Sequence, residues 1–359
     1  MREEHDVLLS GLTTMRVGGP AQRLVTVRTT DELVDAIREV DDADEPLLVV
    51  AGGSNLVIAD EGFAGSVVHV ATHGITVESA DSRHDVTVRV AAGEVWDDVV
   101  ARAVAEGWSG IEALSGIPGC AGATPIQNVG AYGQEVAQTI AAVRAWDRRE
   151  QQVHTFTNHD CQFTYRDSLF KGESRYVVLE VVFQLRVAPM SAPLAYRDLA
   201  RALGVEEGER VPLEDAREAV LAQRRLRGMV LDATDHDTWS CGSFFTNPIV
   251  STRSYAALQV RAQARLGAVE GTVRVPRFDA PDGQVKTSAA WLIERAGFGK
   301  GYGMPGPAAL STKHALAITN RGSATAVDVV ALAGEIRDGV QDAFGLSLVN
   351  EPVLVGLSL

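Results

Sequence analysis

IPGCAGATPIQNVGAYGQEV, residues 117–136, carries glycines at 119, 122, 130 and 133 among small and amide side chains. Their spacing has neither the period of two of a strand nor the 3.6 of a helix. Glycine lets the chain take positive φ and brings main-chain N–H groups close to a ligand. Gln127 and Asn128 add paired donors and acceptors. Irregular stretches of this length inside a compact domain are uncommon and usually functional. The segment therefore reads as a cofactor cradle, with a long surface loop as the competing reading.

Working outward, Leu47 to Val50 has the character of a buried strand and runs straight into Ala51-Gly52-Gly53-Ser54-Asn55. Successive N–H groups after a strand can converge on an anion, which suits phosphate. The residues match neither GxGxxG nor GxxxxGK[ST], so the usual nucleotide fingerprints fail and a simple β-turn competes. Before this point come a turn-rich RVGGPA at 16–21, β-rich residues 24–27, and a helix with Thr30 as N-cap and Leu33, Ile37 and Val40 on one face. After it the pattern predicts strands at 67–70 and 87–91 and a helix over 95–106 stopped by Gly107. Strands near 142–146, 153–155 and 176–185 follow the cradle. The remainder is helix-rich: 213–225, 254–266, 288–296 and 325–344, the last opened by Thr325 and Asp328 and stopped by Gly345. A strand at 353–355 closes the pattern. The change from sheet-rich to helix-rich sequence places a boundary near 188–211.

With 359 residues, two or three domains are expected. A formal net charge of -14 argues against a nucleic-acid surface and against nonspecific binding to anionic membranes. MREEHDVLLSGLTTM lacks a signal-peptide core, and no apolar run is long enough to insert in a bilayer, so a cytoplasmic location is expected. Cys120, Cys161 and Cys241 form no CxxC pair or zinc spacing; free thiols and no metal site are expected. A monomer is the expectation, although no residue pattern speaks to oligomeric state.

Three small constellations could carry chemistry. In Gly242-Ser243-Phe244-Phe245-Thr246-Asn247-Pro248 a hydroxyl beside two aromatics could be held dry for a controlled proton transfer, or the segment is a turn with two core phenylalanines. It is not a GxSxG elbow. In Tyr165-Arg166-Asp167-Ser168 the guanidinium fork suits a carboxylate, against the plainer reading of a surface ion pair with Asp167. Glu351, in Asn350-Glu351-Pro352, could act as an acid if burial raised its pKa, or be a solvated glutamate.

In this order and spacing, TTMRVGGPA, AGGSNLVIAD, IPGCAGATPIQNVGAYGQEV, YRDSLFK, GSFFTNP and NEPVLVG resemble the UDP-N-acetylenolpyruvoylglucosamine reductase (MurB) family, type I branch, over nearly the whole chain. The resemblance implies an α+β fold: a vanillyl-alcohol-oxidase (PCMH) type FAD domain of two lobes over 1–188, then a MurB-type substrate domain over 211–359. The terminal strand near 346–359 is expected to pack back on the first lobe. It implies non-covalent FAD, NADPH as reductant, and reduction of UDP-N-acetylglucosamine enolpyruvate to UDP-N-acetylmuramate. In that chemistry hydride passes from flavin N5 to the enolpyruvyl β-carbon and Ser243 protonates the α-carbon, with Arg166 and a protonated Glu351 stabilising the enolate oxygens.

By the same resemblance Gly52, Gly53, Ser54 and Asn55 would hold the FAD diphosphate. Ile117, Pro118, Gly119, Gly122, Ala123, Thr124, Gln127, Asn128, Gly130, Ala131, Tyr132 and Gly133 would line the rest of the flavin, with Arg16 at its edge. Tyr196 matches a tyrosine that closes over the UDP portion, Asn247 a diphosphate-contacting asparagine, and Lys286 and Lys300 are candidate diphosphate partners. Arg227 stands where the family has a lysine, which keeps charge and changes geometry. Two rivals stand beside this reading. A PCMH-type flavin oxidase would consume oxygen without a nucleotide sugar; a noncatalytic nucleotide-sugar-binding flavoprotein would keep the loops and lose turnover.

Overall fold

In the computed structural model, which describes residues 1–80, 85–267 and 273–359, the chain divides into two units. The first comprises Met1–Val7, Pro20–Gly53 and Phe63–Val230; the second comprises Leu8–Gly19, Ser54–Gly62 and Leu231–Leu359.

Among its described residues the first unit has two large sheets and a short hairpin. Valine-rich stretches Pro20–Val27, Phe63–Val70 and Leu47–Val50 favour strands and lie parallel, with Val25 and Val49 both registered on Val68. The helix Thr30–Asp42 carries the chain from Pro20–Val27 across to Leu47–Val50 on the far side of Phe63–Val70, and it buries Leu33, Ala36, Ile37 and Val40. Its N-cap is Thr29, one residue before the expected Thr30. Thr29 keeps an extended backbone (φ -129°) from which its side chain accepts the Glu32 N–H, whereas Thr30 is already in the helix.

The other sheet is antiparallel, in the order Gln152–Thr157, Ile140–Asp147, Tyr176–Val187, Asp85–Ala91, Ile75–Ala80. Tyr176–Val187 is central, so Val181 pairs with Val143 on one side and Val90 on the other, and its nearly continuous apolar sequence is buried on both faces. The helix Trp96–Ala105 ends at Gly107 in the left-handed region (φ 73°). Fully buried Trp96 meets Phe183 at 5.6 Å between ring centroids, and its indole N–H donates to the Leu114 carbonyl at 3.1 Å.

Residues 189–230, lying around and beyond the sequence boundary, pack within this first unit. Helices Arg197–Leu203 and Leu213–Leu226 bury Leu199, Ala216 and Val220 in a small cluster with Ala113. Complete burial of a leucine or valine contributes roughly 1.5–3 kcal/mol. The Arg217 guanidinium forks onto Asp97 at 2.7 and 2.9 Å, and the same carboxylate accepts the Gly116 N–H at 2.6 Å. Burial works against that charge, yet the Arg217 and Gly116 hydrogen bonds hold the Asp97 carboxyl below its ordinary value.

In the second unit, helices Thr252–Leu266, Ala289–Ala296 and Ala326–Phe344 cover a core that includes Met15, Val57, Phe244, Leu292, Ile318, Val329 and Ile336. Thr325 and Asp328 form the capping box read from the sequence, and Gly345 closes the helix at φ 68°. Asp60 adds two acceptors for the first helical N–H groups, of Ala326 and Val327, at 2.8 and 3.1 Å. The terminal strand Val353–Val355 lies parallel to Leu56–Ile58, with Leu354 beside Val57. That partner segment comes from early in the sequence and belongs to this second unit.

Candidate active site

The 117–136 stretch is neither an exposed loop nor regular structure throughout. It is pinned at its start: Trp96 N–H donates to the Gly119 carbonyl at 3.0 Å, Ala121 N–H to Glu94 at 2.8 Å and Gly122 N–H to Ala92 at 2.9 Å. Residues 111–116 are buried, while Ile117, Pro118 and Gly119 open to partial exposure. Here two backbones touch. A β-carbon on Gly52 would lie 2.6 Å from the Gly119 Cα, and one on Gly122 would lie 2.4 Å from the Ala92 Cβ. Gly119 (φ 115°) and Gly53 (φ 54°) take conformations that side chains resist. This contact brings Gly52, Gly53 and Ile117 to Gly119, the residues expected to meet FAD, side by side, and bare main chain of that kind suits close approach of a diphosphate.

Farther along, Gly130–Ala131 and Gln134–Glu135 form a hairpin with Ala131 opposite Gln134. Tyr132 (φ 50°) and Gly133 (φ 85°) are its two-residue turn, both left-handed as the twist of a tight hairpin demands. A tyrosine held there is strained. Its ring meets Tyr196 edge-on at 5.3 Å, with the Arg227 guanidinium 5.9 Å from the Tyr132 centroid. Three residues assigned separately from sequence, one to the cofactor and two to substrate, are thus neighbours. Arg224 was not anticipated: burial pulls it down to about 10, and its buried Nε has no partner among the described residues.

Thr124 and Asn128 turn inward. The Thr124 hydroxyl donates to Ala121 at 2.8 Å. The Asn128 amide donates to Glu135 at 3.0 Å and to the Thr164 carbonyl at 2.9 Å and accepts the Ala137 N–H at 3.2 Å. Asn128 is 1% exposed, so its side chain shapes the cradle from within. Gln127 and Ala123 are half-buried along the same stretch. Arg166 sits at φ 56° in the 164–167 turn, its guanidinium donating to the carbonyls of Asn128 and Gly130 at 3.2 and 2.5 Å. It is part of the cradle's own hydrogen bonding, a relation that the surface-pair reading with Asp167 lacks.

The second unit gathers another set. Glu351 N–H donates to the Phe244 carbonyl at 2.8 Å, Phe245 bridges Asn350, and the Asn55 amide donates to the Glu351 carbonyl at 3.2 Å. Ser243 and Glu351 are therefore held on adjacent extended segments, both half-buried, with Asn55 and Ser54 on the next. Phe244 and Phe245 are core residues, and the serine just before them follows Gly242 at φ 73°. Arg16, at φ 56°, lays its guanidinium 3.8 Å from the Trp239 ring centroid. Asn247 accepts the Ala289 N–H at 3.0 Å at the start of a helix, Lys286 lies on the strand facing Ile249, and Lys300 is exposed.

Comparison with known proteins finds two family matches along the chain. Residues 21–155 match the model of an FAD binding domain, and residues 233–355 match the UDP-N-acetylenolpyruvoylglucosamine reductase C-terminal domain. A protein of that name from Streptomyces coelicolor is 57% identical, the match covering 100% of this chain and 92% of that protein. One from Thermobifida fusca is 54% identical over 99% of this chain and 98% of its own length. The crystal structure of the reductase from Thermus caldophilus is similar with a TM-score of 0.66 at 26% identity, covering 99% of each chain.

Proposed function

Because the chain belongs to the UDP-N-acetylenolpyruvoylglucosamine reductase family, we propose that Ser243, Arg166 and Glu351 carry the reduction this family performs. The enzyme is an FAD-dependent oxidoreductase of peptidoglycan synthesis that uses NADPH to convert UDP-N-acetylglucosamine enolpyruvate to UDP-N-acetylmuramate. FAD, which Gly52 to Asn55 and the Ile117 to Gly133 stretch would hold, would supply hydride transfer between NADPH and the enol ether β-carbon.

The protein's own part is to manage charge and a proton. Hydride addition at the β-carbon pushes an electron pair through the α-carbon into the carboxylate. Arg166 would bind that carboxylate through its fork, and Glu351, protonated, would donate a hydrogen bond to a developing oxygen. Ser243 would give its hydroxyl proton to the α-carbon. A hydroxyl is too weak an acid for ordinary bases but adequate for a carbanion, so alignment matters more than acidity. The observation that supports the assignment is the Glu351 to Phe244 hydrogen bond of 2.8 Å, which ties the residue after Ser243 to Glu351.

Among substrate contacts, Tyr196 and Arg227 beside Tyr132 are proposed for the nucleotide portion, with Asn247, Lys286 and Lys300 as diphosphate contacts. We also propose that the enzyme works as a cytoplasmic monomer; among the described residues no helix is long and apolar enough to cross a membrane.

The test separates the two half-reactions. Ser243→Ala should keep FAD and its reduction by NADPH. Return of the oxidised flavin spectrum on anaerobic addition of the enolpyruvyl sugar should slow by roughly 10²–10⁴-fold. Reoxidation at the wild-type rate would remove Ser243 from the mechanism.

A further inference from the structure

We propose that Glu135 is a positioning residue for Arg166, setting the pitch of the guanidinium that receives the substrate carboxylate. The inference rests on the reading of Arg166 given above.

The Glu135 and Arg166 side chains converge at Gly130. The hairpin places Glu135 directly opposite it. An ideal β-carbon on Gly130 would stand 2.7 Å from the Glu135 Cγ and 3.0 Å from Arg166 Nη1, so both side chains cross the bare face of this glycine. The Glu135 carboxylate then divides its two oxygens. Oε2 accepts from the Asn128 amide at 3.0 Å, and Oε1 stands 3.9 Å from Arg166 Nη1. Asn128 completes the connection: its carbonyl accepts from Arg166 at 3.2 Å, and its amide also donates to Thr164, two residues before Arg166. Lys171 closes the other side by donating to the Arg166 carbonyl at 2.6 Å.

The distances define the role. At 3.9 Å the carboxylate is too far for a tight fork on Arg166, so it acts on the guanidinium through its field and through Asn128 rather than by a fork of its own. A closer Glu135 would compete with substrate; without it, Asn128 loses one of the three bonds that fix it and the carbonyl beneath Arg166 loosens. Glu135 also caps the turn Val136–Gln138 through a reciprocal box with Gln138. That cap is the plain structural alternative, and it does not involve Arg166.

The experiment is a double-mutant cycle on the FAD-loaded enzyme with Glu135→Ala, Arg166→Ala and the pair. It reads anaerobic flavin reoxidation by the enolpyruvyl sugar and calorimetric binding of UDP-N-acetylmuramate against UDP, which has no lactyl carboxylate. Glu135→Ala should slow reoxidation and weaken UDP-N-acetylmuramate on the order of 10-fold. UDP binding and NADPH reduction should stay at wild-type values. In the Arg166→Ala background the same change should do nothing further. Glu135→Gln, which still accepts from Asn128 but carries no charge toward Arg166, should recover only the part of the loss that passes through Asn128. Equal losses with and without Arg166, or equal losses for UDP and UDP-N-acetylmuramate, would leave Glu135 a cap and overturn the proposal. If Arg166→Ala itself leaves reoxidation unchanged, the assignment of Arg166 fails first.

Discussion

Arg166 lies across the carbonyl of Gly130: Nη2 donates to it at 2.5 Å while Nη1 donates to Asn128 at 3.2 Å. The cradle and the proposed carboxylate-binding group of the first unit are one hydrogen-bonded piece.

A lysine keeps the charge but lacks the planar fork by which Arg166 reaches both carbonyls. Arg166→Lys is expected to reduce the sugar half-reaction about 100-fold while NADPH still bleaches the flavin at the normal rate. Stopped-flow absorbance on each half-reaction decides it, and normal reoxidation would contradict the assignment.

Gly52→Ala would set a β-carbon 2.6 Å from the Gly119 Cα, where the opposing atom is backbone and cannot swing away. We expect purified protein with a normal far-ultraviolet spectrum and a flavin content well below one per chain. Full flavin occupancy would mean that the Gly52 and Gly119 seam is not the cofactor's.

Asp147, 1% exposed at its side chain, is pulled to about 2 from 3.8, chiefly by hydrogen bonds from Arg175, with burial opposing. Because the folded value lies below the unfolded one, the folded state binds fewer protons between them. The stabilisation is complete above about pH 4 and is lost as the pH falls toward 2. Arg175→Gln should lower Tm at neutral pH and flatten its decline through that window; an unchanged acid limb would argue against the pair.

Burial pushes Cys161 and Cys241 up to about 12 and raises Cys120 as well. A colorimetric thiol reagent at about pH 8 should find none of the three in native protein and all three after denaturation. Rapid labelling of the native chain would show that one of these sites opens.

Much of this was legible because local signals agreed with tertiary need. Thr325, Asp328 and Gly345 bracket a helix by capping chemistry alone, and Tyr176 to Leu185 announces a strand buried on both faces. Arg2–Leu8 did not, since REEH carries charge where a strand pattern wants alternation, and Leu56–Ile58 is three residues long. The membership of 189–230 was hidden because it depends on Arg217 reaching Asp97, a contact with no local signature. Within the site, the glycine spacing disclosed the cradle but gave no warning that Asn128 faces inward. Glu135 could have been found: a two-residue turn at Tyr132-Gly133 places it opposite Gly130.

The parallel pairing of Leu56–Ile58 with Val353–Val355 imposes a timetable. A ribosome adding roughly 5–20 residues per second makes the early strand some 15–60 seconds before its partner exists. During that interval Phe63–Val230 can emerge and fold, while the strand edge at Leu56 stays unmet and open to misassociation. Nascent chains stalled before residue 353 should therefore expose Leu56–Ile58 to protease and chaperone, and protection should arrive abruptly when the last strand clears the tunnel. Synthesis of the second unit therefore starts with Leu8–Gly19, ahead of most of the first unit, and its strand pairing waits for Val353–Val355.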